Sequence, residues 1–453
     1  DLSSLPPPPP PPNILPPVRL LTFNLHAKSK FGFSLLLPLL GLVTVLLEAR
    51  ERRIGKLDSL SWSSYYDLGS NASPYEASIE YPDFSPVGAL VDKSGTLGTG
   101  TLVSPSVVVT AAHLFRNQNS SPAPSPSNWE FVLHTPFNEA GTGRTFEVSQ
   151  IILHAGWEAR LPQLGGTGDG DVLGVDLAVV LLKTEVIGVY PAKLPSGNAE
   201  TLGGRVVLGG FGNLVDGATG AENVLNHRRV GGVNSLDRIV EKVEKPNVPA
   251  EYSGGLLAID FDSPQLDSNT LGKGQPEIDN LSTGDSNSSP LDLEASTVVG
   301  DSGGPAFMRI GDAWRIIGAV SYGSSDSTYG DVTVYTRLAN HEAWIGAYLP
   351  SWSQARKTVQ AGWLQSDWFG YFSPLASSWI FHPSHGWIYA SVESGETLWA
   401  WQEGIGWWWS GSSVYPFLYS STRSGWLYLD TARSSHSGAV YYDYSQGVWA
   451  QSP

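Results

Sequence analysis

Short apolar runs separated by Gly, Ser, Pro and Asp follow one another over residues 86–350. Short runs rich in Val, Ile and Leu are typical of buried strands, and many of them at close spacing indicate a sandwich or a barrel. One short helix is predicted over 339–348, after the last strand. The pattern therefore predicts an all-β domain with a short C-terminal helix. The predicted strands cover 87–91, 97–103, 107–109, 130–134, 146–153, 176–182, 205–211, 256–260, 306–310, 314–320 and 332–336.

The first part of the chain follows a different pattern. A run of prolines at 6–12 favours a disordered start within residues 1–56. A basic stretch at 26–30 precedes an apolar run at 31–47, which predicts an export signal peptide. A short membrane anchor and a buried helix are the alternatives. Residues 57–85 lack clear periodicity and are predicted to be an N-terminal extension or a propeptide.

Aromatic residues dominate the chain after residue 350, where 12 of the 17 tryptophans lie. Residues 351–362 are predicted to be a linker, and 363–453 an aromatic-rich module. The sequence Ser-His-Gly-Trp-Ile-Tyr at 384–389 returns as Arg-Ser-Gly-Trp-Leu-Tyr at 423–428, 39 positions later. This repeat indicates aromatic β-hairpins. It resembles the Gly-Trp-Ile/Leu-Tyr repeat modules at the C-termini of exported bacterial proteins.

Two interpretations of this module remain open. Exposed aromatic rings can stack on sugar faces, which indicates a cell-wall or glycan ligand. A small module without cysteines can instead use large aromatic side chains to build its core, and this is favoured for any single tryptophan. His382 and His385 lie in a Pro/Ser/Gly loop and are predicted to face solvent rather than to bind a metal.

Composition excludes several classes of function. The formal net charge of −16 and the isoelectric point near 4.9 argue against nucleic acid and anionic membrane surfaces as partners. The absence of cysteine excludes disulfides, zinc–thiolate sites and thiol catalysis. A length of 453 residues indicates two or three domains.

The strongest candidate for chemistry is Gly-Asp-Ser-Gly-Gly-Pro at 300–305. Glycine permits positive φ and close approach of the backbone. A nucleophilic serine needs both if its Oγ and its backbone N–H are to face one reacting carbonyl. Ser302 is therefore a candidate nucleophile, and a plain Gly/Ser turn is the alternative.

A nucleophilic serine needs a base and a group that orients the base, and the chain offers both upstream. His113 follows an apolar run and two alanines, which leave space for an imidazole at a strand end. Asp176 begins an apolar run, where a carboxylate is costly to bury unless it is paired. The alternatives are a core or surface histidine and an aspartate that caps a strand or lies in a turn.

These residues together resemble the trypsin-like serine proteases of the chymotrypsin fold. The resemblance rests on Thr-Ala-Ala-His at 110–113, Asp-Leu-Ala-Val at 176–179 and the run at 300–305, in that order, with Ser-Tyr-Gly at 321–323 and Val-Tyr-Thr-Arg at 334–337. It implies two six-stranded β-barrels with the site between them. It also implies a catalytic triad of His113, Asp176 and Ser302.

The same resemblance implies further site residues. The backbone N–H groups of Gly300 and Ser302 would form the oxyanion hole, and Ser321 would contact the orienting acid. The primary substrate pocket would have Ser296 at its base, with Gly323 and Thr333 in its walls and Ser321 nearby. Because Ser296 carries no charge, selectivity for Lys or Arg is not expected, and a small or apolar side chain is favoured.

The chain departs from the family at two points. The Ile-Val-Gly-Gly-type start that would pair with Asp301 is missing, and Ser-Ile-Glu at 78–80 is a poor substitute. The lack of disulfides differs from animal members and indicates a bacterial secreted enzyme. Asp169 and Asp171 have hard oxygens that calcium prefers, but they fit no complete calcium loop and are interpreted as solvated turn residues.

The sequence as a whole predicts a serine endopeptidase, secreted or at the bacterial cell surface, that cleaves proteins or peptides without a metal or cofactor. The C-terminal module would target it to a surface or a glycan. Two other functions remain open: a catalytically idle protease fold that acts as a binding scaffold, and an esterase-like acyl hydrolase. Peptide turnover compared with ester turnover would separate the last of these.

Overall fold

The computed structural model describes residues 53–57, 59–71, 80–116, 123–135, 144–160, 173–220, 222–223, 227–245, 248–278, 281–297, 300–323, 327–375 and 378–452. The predicted signal peptide and the loop with Asp169 and Asp171 lie outside these ranges. The chain divides into two compact units, one of Arg50–Ser373 with Ser394–Glu396 and one that includes Pro374–Glu393 and Thr397–Pro453. No helix in the described ranges combines the length and the apolar character needed to span a membrane.

The regular secondary structure of the described chain is mostly β. The helices are α1 (Trp62–Gly69), α2 (Ala155–Arg160) and α3 (Glu342–Gly346), together with short 3-10 turns. The strands of the larger unit are β1 (Arg53–Lys56), β2 (Val87–Asp92), β3 (Leu97–Ser104), β4 (Val107–Thr110), β5 (Trp129–Val132), β6 (Thr145–Leu153), β7 (Ala178–Leu182), β8 (Arg205–Gly210), β9 (Asn213–Asp216), β10 (Glu222–Asn223), β11 (Val230–Ser235), β12 (Arg238–Val240), β13 (Leu256–Asp260), β14 (Pro305–Ile310), β15 (Ala313–Gly323), β16 (Val332–Arg337), β17 (Arg356–Lys357), β18 (Leu364–Ser366) and β19 (Gly370–Pro374). The smaller unit contains β20 (Trp379–His382), β21 (Gly386–Ser394), β22 (Thr397–Gln402), β23 (Gly406–Gly411), β24 (Phe417–Ser420), β25 (Gly425–Leu429), β26 (Val440–Asp443) and β27 (Val448–Gln451).

The first half of the larger unit is a closed six-stranded barrel in the order β2-β3-β4-β7-β6-β5. Its interior is filled by a contiguous cluster that includes Leu90, Val108, Phe131 and Val180, all fully buried. These residues come from different strands, as expected when alternate side chains point inward around a barrel. The strands β3, β4 and β7 are buried on both faces, which explains why their apolar runs are continuous rather than alternating.

The second half is a seven-stranded sheet in the order β11-β8-β14-β15-β16-β13-β12. Its two end strands are consecutive in the chain and are separated only by Leu236 and Asp237. The short connection brings the two end strands close together at one corner, so the sheet is curled into a half-barrel. The prediction of an all-β protein with two six-stranded barrels and a short C-terminal helix is confirmed in this form.

The helix α1 was not evident from the sequence. It packs against β11, and its Tyr65 is fully buried in the core of the second barrel. Gly69, at its end, lies so close to β11 that a Cβ would be 2.7 Å from the Arg229 carbonyl oxygen. The helix has only 8 residues and no side-chain N-cap. Its stability therefore comes from tertiary packing, which no local pattern reports.

The strand β7 begins at Ala178, two residues later than the sequence predicted. The backbone N–H of Leu177 donates to the Val175 carbonyl at 2.8 Å, which is a tight local turn rather than a sheet hydrogen bond. Asp176 therefore lies outside the strand ladder. This frees its carboxylate to accept hydrogen bonds from another segment.

The smaller unit is a separate β-sheet region with aromatic clusters, in which β22 to β27 pair antiparallel with their neighbours in the chain. The two related segments of the sequence occupy equivalent places, because each lies at the turn of a hairpin, β20–β21 and β24–β25. Trp399 and Trp408 are buried, whereas Trp387 and Trp449 are 40% and 49% exposed. Tryptophans thus both build the core and line the surface.

The prediction that His382 and His385 face solvent is wrong, because both are buried. The His385 ring stacks on Trp408 with ring centres 5.0 Å apart, and its Nδ1 lies 3.2 Å from Gln402 Oε1. Burial lowers the pKa of His385 well below its usual value. The neutral imidazole of His385 is therefore packed within the aromatic core. In the described residues, no three His, Cys, Asp or Glu side chains are grouped to hold a metal ion.

Candidate active site

His113 lies just after β4, in a turn of 3-10 helix over Ala112–Leu114. The strand before it is held by β7, in a register that sets Thr110 opposite Ala178. Because Asp176 comes two residues before β7, this register brings it next to His113. Two predicted site residues 63 positions apart in sequence therefore meet through one strand pair.

The Asp176 carboxylate is completely buried and is surrounded by donors. The backbone N–H of His113 donates to Oδ1 at 2.9 Å, and its ring Nδ1 donates to Oδ2 at 2.7 Å. Ser321 Oγ also donates to Oδ2, at 2.7 Å. Burial would raise the pKa of Asp176, but the charge of His113 and these hydrogen bonds together lower it. The ionised carboxylate directs Nδ1–H of the imidazole towards itself, which leaves Nε2 as the proton acceptor.

Ser302 lies in the turn before β14, and its Oγ is 2.7 Å from Nε2 of His113. The turn is anchored by the N–H of Gly303, which donates to the Val320 carbonyl at 2.8 Å. Gly303 has φ of +77°, and a Cβ there would overlap Thr110 Oγ1. Glycine is therefore required next to the serine for both conformation and space. The hydroxyl, the imidazole and the carboxylate form one continuous hydrogen-bonded chain.

The backbone around Ser302 offers two free donors. In the described part of the protein, neither the N–H of Gly300 nor that of Ser302 donates a hydrogen bond to another residue. Gly300 has φ of +93°, and a Cβ there would lie 2.8 Å from the Gly212 Cα. Asp301 is buried between them, with Oδ1 accepting from the Gly212 N–H at 2.9 Å. Paired free N–H groups beside a nucleophile suit an oxyanion.

Three of the four predicted pocket residues, Ser296, Ser321 and Thr333, are buried, and Gly323 is partly exposed. Ser296 is 1% exposed, and no residue in the described ranges hydrogen-bonds its Oγ. Thr333 accepts two hydrogen bonds from Thr297, from the N–H at 3.1 Å and from Oγ1 at 3.0 Å. Gly323 ends β15, where a Cβ would be 2.9 Å from the Val332 carbonyl. Ser321 points instead at Asp176, so its side chain supports the carboxylate.

Sequence reasoning missed several threonines that hold the site. Thr110 Oγ1 donates to the Thr99 carbonyl at 2.7 Å, and Thr336 Oγ1 donates to the Asp176 carbonyl at 3.0 Å. Thr297 completes the hydroxyl pair with Thr333. A threonine in a strand has the pattern of an ordinary β-former, so nothing local distinguishes these residues. Their role in holding the site is evident only from the distant segments to which their hydroxyl groups are hydrogen-bonded.

A comparison with protein families gives one result. The family model described as Trypsin matches residues 70–255 and 271–345, which is more than half of the chain. The matched ranges contain His113, Asp176 and Ser302, and they include strands of both barrels.

Proposed function

Since the chain belongs to the trypsin family of serine peptidases, we propose that it is an endopeptidase that cleaves peptide bonds through an acyl-enzyme on Ser302. The observation that carries the proposal is the chain from Asp176 through His113 to Ser302, with both side-chain separations at 2.7 Å. A base within hydrogen-bonding distance of the nucleophile, itself oriented by a buried acid, is the geometry that activates a serine.

The proposed reaction has two halves. Ser302 Oγ attacks the peptide carbonyl carbon while His113 Nε2 takes the hydroxyl proton, and the carbonyl oxygen becomes an oxyanion. The N–H groups of Gly300 and Ser302 stabilise that oxyanion. The C–N bond breaks as the imidazolium gives its proton to the leaving amine. A water then attacks the acyl-enzyme with His113 again as the base, which releases the acid and restores the serine.

The proposed specificity is for a small or apolar side chain at the bond to be cleaved. Support comes from hydroxyls rather than charges: Ser296 and Thr333 belong to the predicted pocket, and Thr297 contacts Thr333. The carboxylate of Asp331, just before β16, already accepts from the N–H groups of Ser327 and Val332 at 2.8 Å. A panel of peptides that vary only at this side chain tests the proposal, and preferred cleavage after Lys or Arg would reject it.

The test of the activity is labelling by a fluorophosphonate probe followed by intact mass. One adduct on the wild-type protein, absent from Ser302→Ala, is expected. Cleavage of a peptide amide as well as the matched ester separates a peptidase from an acyl hydrolase with activity on esters alone. An unlabelled, fully processed wild-type chain would reject the peptidase and favour the idle binding scaffold.

The proposed role of the smaller unit is attachment to a surface glycan. Support comes from a groove of about 840 Å³ within this unit, lined by Tyr415, Phe417, Trp426 and Tyr444 with several serines and no charged side chain. Ring faces beside hydroxyl groups suit an uncharged, polyhydroxylated ligand. The test is co-sedimentation of the full-length Ser302→Ala protein with insoluble cell-wall polysaccharide.

The matched variants for this test are Tyr444→Ala and Trp387→Ala. Tyr444 lines the groove and is 55% exposed, whereas Trp387 is 40% exposed but lies outside the groove. Co-sedimentation is expected to fall several-fold for Tyr444→Ala only. Equal behaviour of the two variants would reject the groove as the glycan site.

The proposed location is the outside of a bacterial cell, either secreted or held at the envelope. Support comes from the basic and apolar segments of residues 26–47 and from the absence of cysteine. Fractionation of the native host with N-terminal sequencing of the mature protein tests it. Recovery of the chain in the cytoplasm with residues 26–47 intact would reject it.

A further inference from the structure

Thr99 is a buried residue of β3 that contacts the candidate oxyanion loop with its backbone and its side chain. Its N–H donates to the Ser302 carbonyl at 2.9 Å. Its Oγ1 donates to the Gly300 carbonyl at 2.7 Å and accepts from the Phe211 N–H at 3.1 Å. One residue of the first barrel thus binds the carbonyls of both residues whose N–H groups donate to no other residue in the described part of the protein.

These carbonyl contacts restrict the backbone that carries the N–H donors. Each carbonyl direction is set by the ψ angle of its own residue, and φ of Gly300 is already +93°. Glycine at this position has no side chain to limit the peptide orientation, so the loop needs an external restraint. The Thr99 hydroxyl supplies that restraint at Gly300, because among the described residues this carbonyl is the acceptor to which it donates.

Thr99 is itself held in place by hydrogen bonds from neighbouring segments. The N–H groups of two consecutive residues, Phe211 and Gly212, donate to Thr99 Oγ1 and to Asp301 Oδ1, respectively. On the other side, Thr110 Oγ1 donates to the Thr99 carbonyl at 2.7 Å. Accepting from Phe211 orients the single hydroxyl proton of Thr99 towards Gly300, since a hydroxyl that accepts in one direction donates in another.

We propose that Thr99 is a positioning residue for the oxyanion hole, which acts by holding the Gly300 carbonyl so that the Gly300 N–H stays aimed at the developing oxyanion. The inference rests on the proposed peptidase function. The hydrogen bond from Thr99 to the Gly300 carbonyl stabilises the transition state rather than the bound substrate. Its loss therefore lowers kcat and leaves KM nearly unchanged.

The test compares Thr99→Val, Thr99→Ser and Thr101→Val. Valine keeps the shape of threonine without the donor, whereas serine keeps the hydroxyl without the methyl group. Thr101 lies two residues further along the same strand, is 2% exposed, and no residue in the described ranges hydrogen-bonds its Oγ1. It is therefore a matched control for placing valine in this part of β3.

We expect kcat of Thr99→Val to fall by roughly 10- to 100-fold, with KM within about twofold, because one oriented hydrogen bond is lost. The second-order rate of labelling by a fluorophosphonate falls by the same factor, and a peptide aldehyde that forms a tetrahedral adduct binds correspondingly more weakly. The pH profile of kcat/KM keeps its shape, since His113 and Asp176 are untouched. Thr99→Ser and Thr101→Val keep most of the activity.

Three results would overturn the inference. A folded Thr99→Val with wild-type kcat shows that the hydroxyl is dispensable. A loss in Thr99→Ser equal to that of Thr99→Val shows that the methyl packing matters instead. Where the valine variant fails to fold, a loss of kcat of about tenfold or more in a folded Thr99→Ser overturns the inference without it, because serine keeps the donor. An altered pH profile shows an effect on the base. A wild-type chain that no probe labels defeats the peptidase proposal itself, which is a separate outcome.

Discussion

At the scale of single residues, the site depends on how the Asp176 carboxylate is satisfied. Donors from His113 and Ser321 compensate for its complete burial, and together they lower its pKa despite the low-dielectric surroundings. A carboxylate held in this way keeps one tautomer of the imidazole. Without these partners, the free-energy cost of burying the ionised carboxylate would not be compensated.

Replacing Asp176 by Asn removes the acceptor for Nδ1–H and presents a donor in its place. The imidazole then changes tautomer, and kcat is expected to fall by roughly 10³- to 10⁴-fold, as measured on a peptide amide at neutral pH. Ser321→Ala is the control, because it removes one hydrogen bond but leaves the charge, so a loss of about tenfold is expected. Similar small losses in both variants would contradict the proposed orienting role of Asp176.

At the scale of elements, the site depends on close approach between the serine turn and β4. Gly303 has φ of +77°, and a Cβ at this position would overlap Thr110 Oγ1 and lie 2.6 Å from the Thr99 carbonyl oxygen. The turn therefore rests directly on two strands of the first barrel. This contact fixes the distance between Ser302 and His113, which come from different barrels.

Gly303→Ala is expected to reduce the free energy of unfolding by more than about 2 kcal/mol and to abolish measurable activity, since backbone strain and overlap add. The control is Gly311→Ala, which has φ of +62° but nothing within 4 Å of the added methyl group. It keeps full activity and loses about 1 kcal/mol. Urea unfolding and peptide hydrolysis measure the two effects. Equal destabilisation in both variants would show that the overlap is relieved by a small shift.

At the scale of the whole molecule, an unusual group of acids lies in the second barrel. Asp237, Asp260, Asp262 and Glu294 are each at most 3% exposed. Burial, reinforced by their mutual repulsion, raises the pKa of Asp237 to about 8, of Asp262 to about 7 and of Glu294 to about 9. Burial also raises the pKa of Asp260, and the positive charge of Arg238 opposes this rise in part. The folded barrel therefore retains protons that an unfolded chain releases near pH 4.

Unfolding thus releases protons between about pH 4 and pH 9, so the stability of the protein is expected to be highest in acid and to decline as the pH rises through these values. Each retained proton contributes roughly 1.4 kcal/mol per pH unit. Urea unfolding of Ser302→Ala, which prevents autolysis, is measured at pH 5, 7 and 9. Glu294→Gln is the control and flattens the decline. Stability that stays constant or rises over this range would contradict the prediction.

Local patterns in the sequence determined the β-class of the protein and the positions of most strands of its two barrels, but not β11 and β12. Short continuous apolar runs between turn residues are typical of strands buried on both faces, and the strands β3, β4, β13 and β16 are buried in this way. The residues His113, Asp176 and Ser302 also stood out, because their motifs follow one another in the order typical of the trypsin-like serine proteases. The structure places these three side chains in one hydrogen-bonded chain.

Only the tertiary structure decided which ordinary residues support the site and which polar residues are buried. Thr99 and Thr110 look like strand formers until the two barrels bring a loop against them. His385 looks like a loop residue until Trp408 stacks on it. Helix α1 is too short to form by propensity and depends on its contact with β11. In each case the deciding interaction joins segments far apart in the chain, and no local pattern of residues records it.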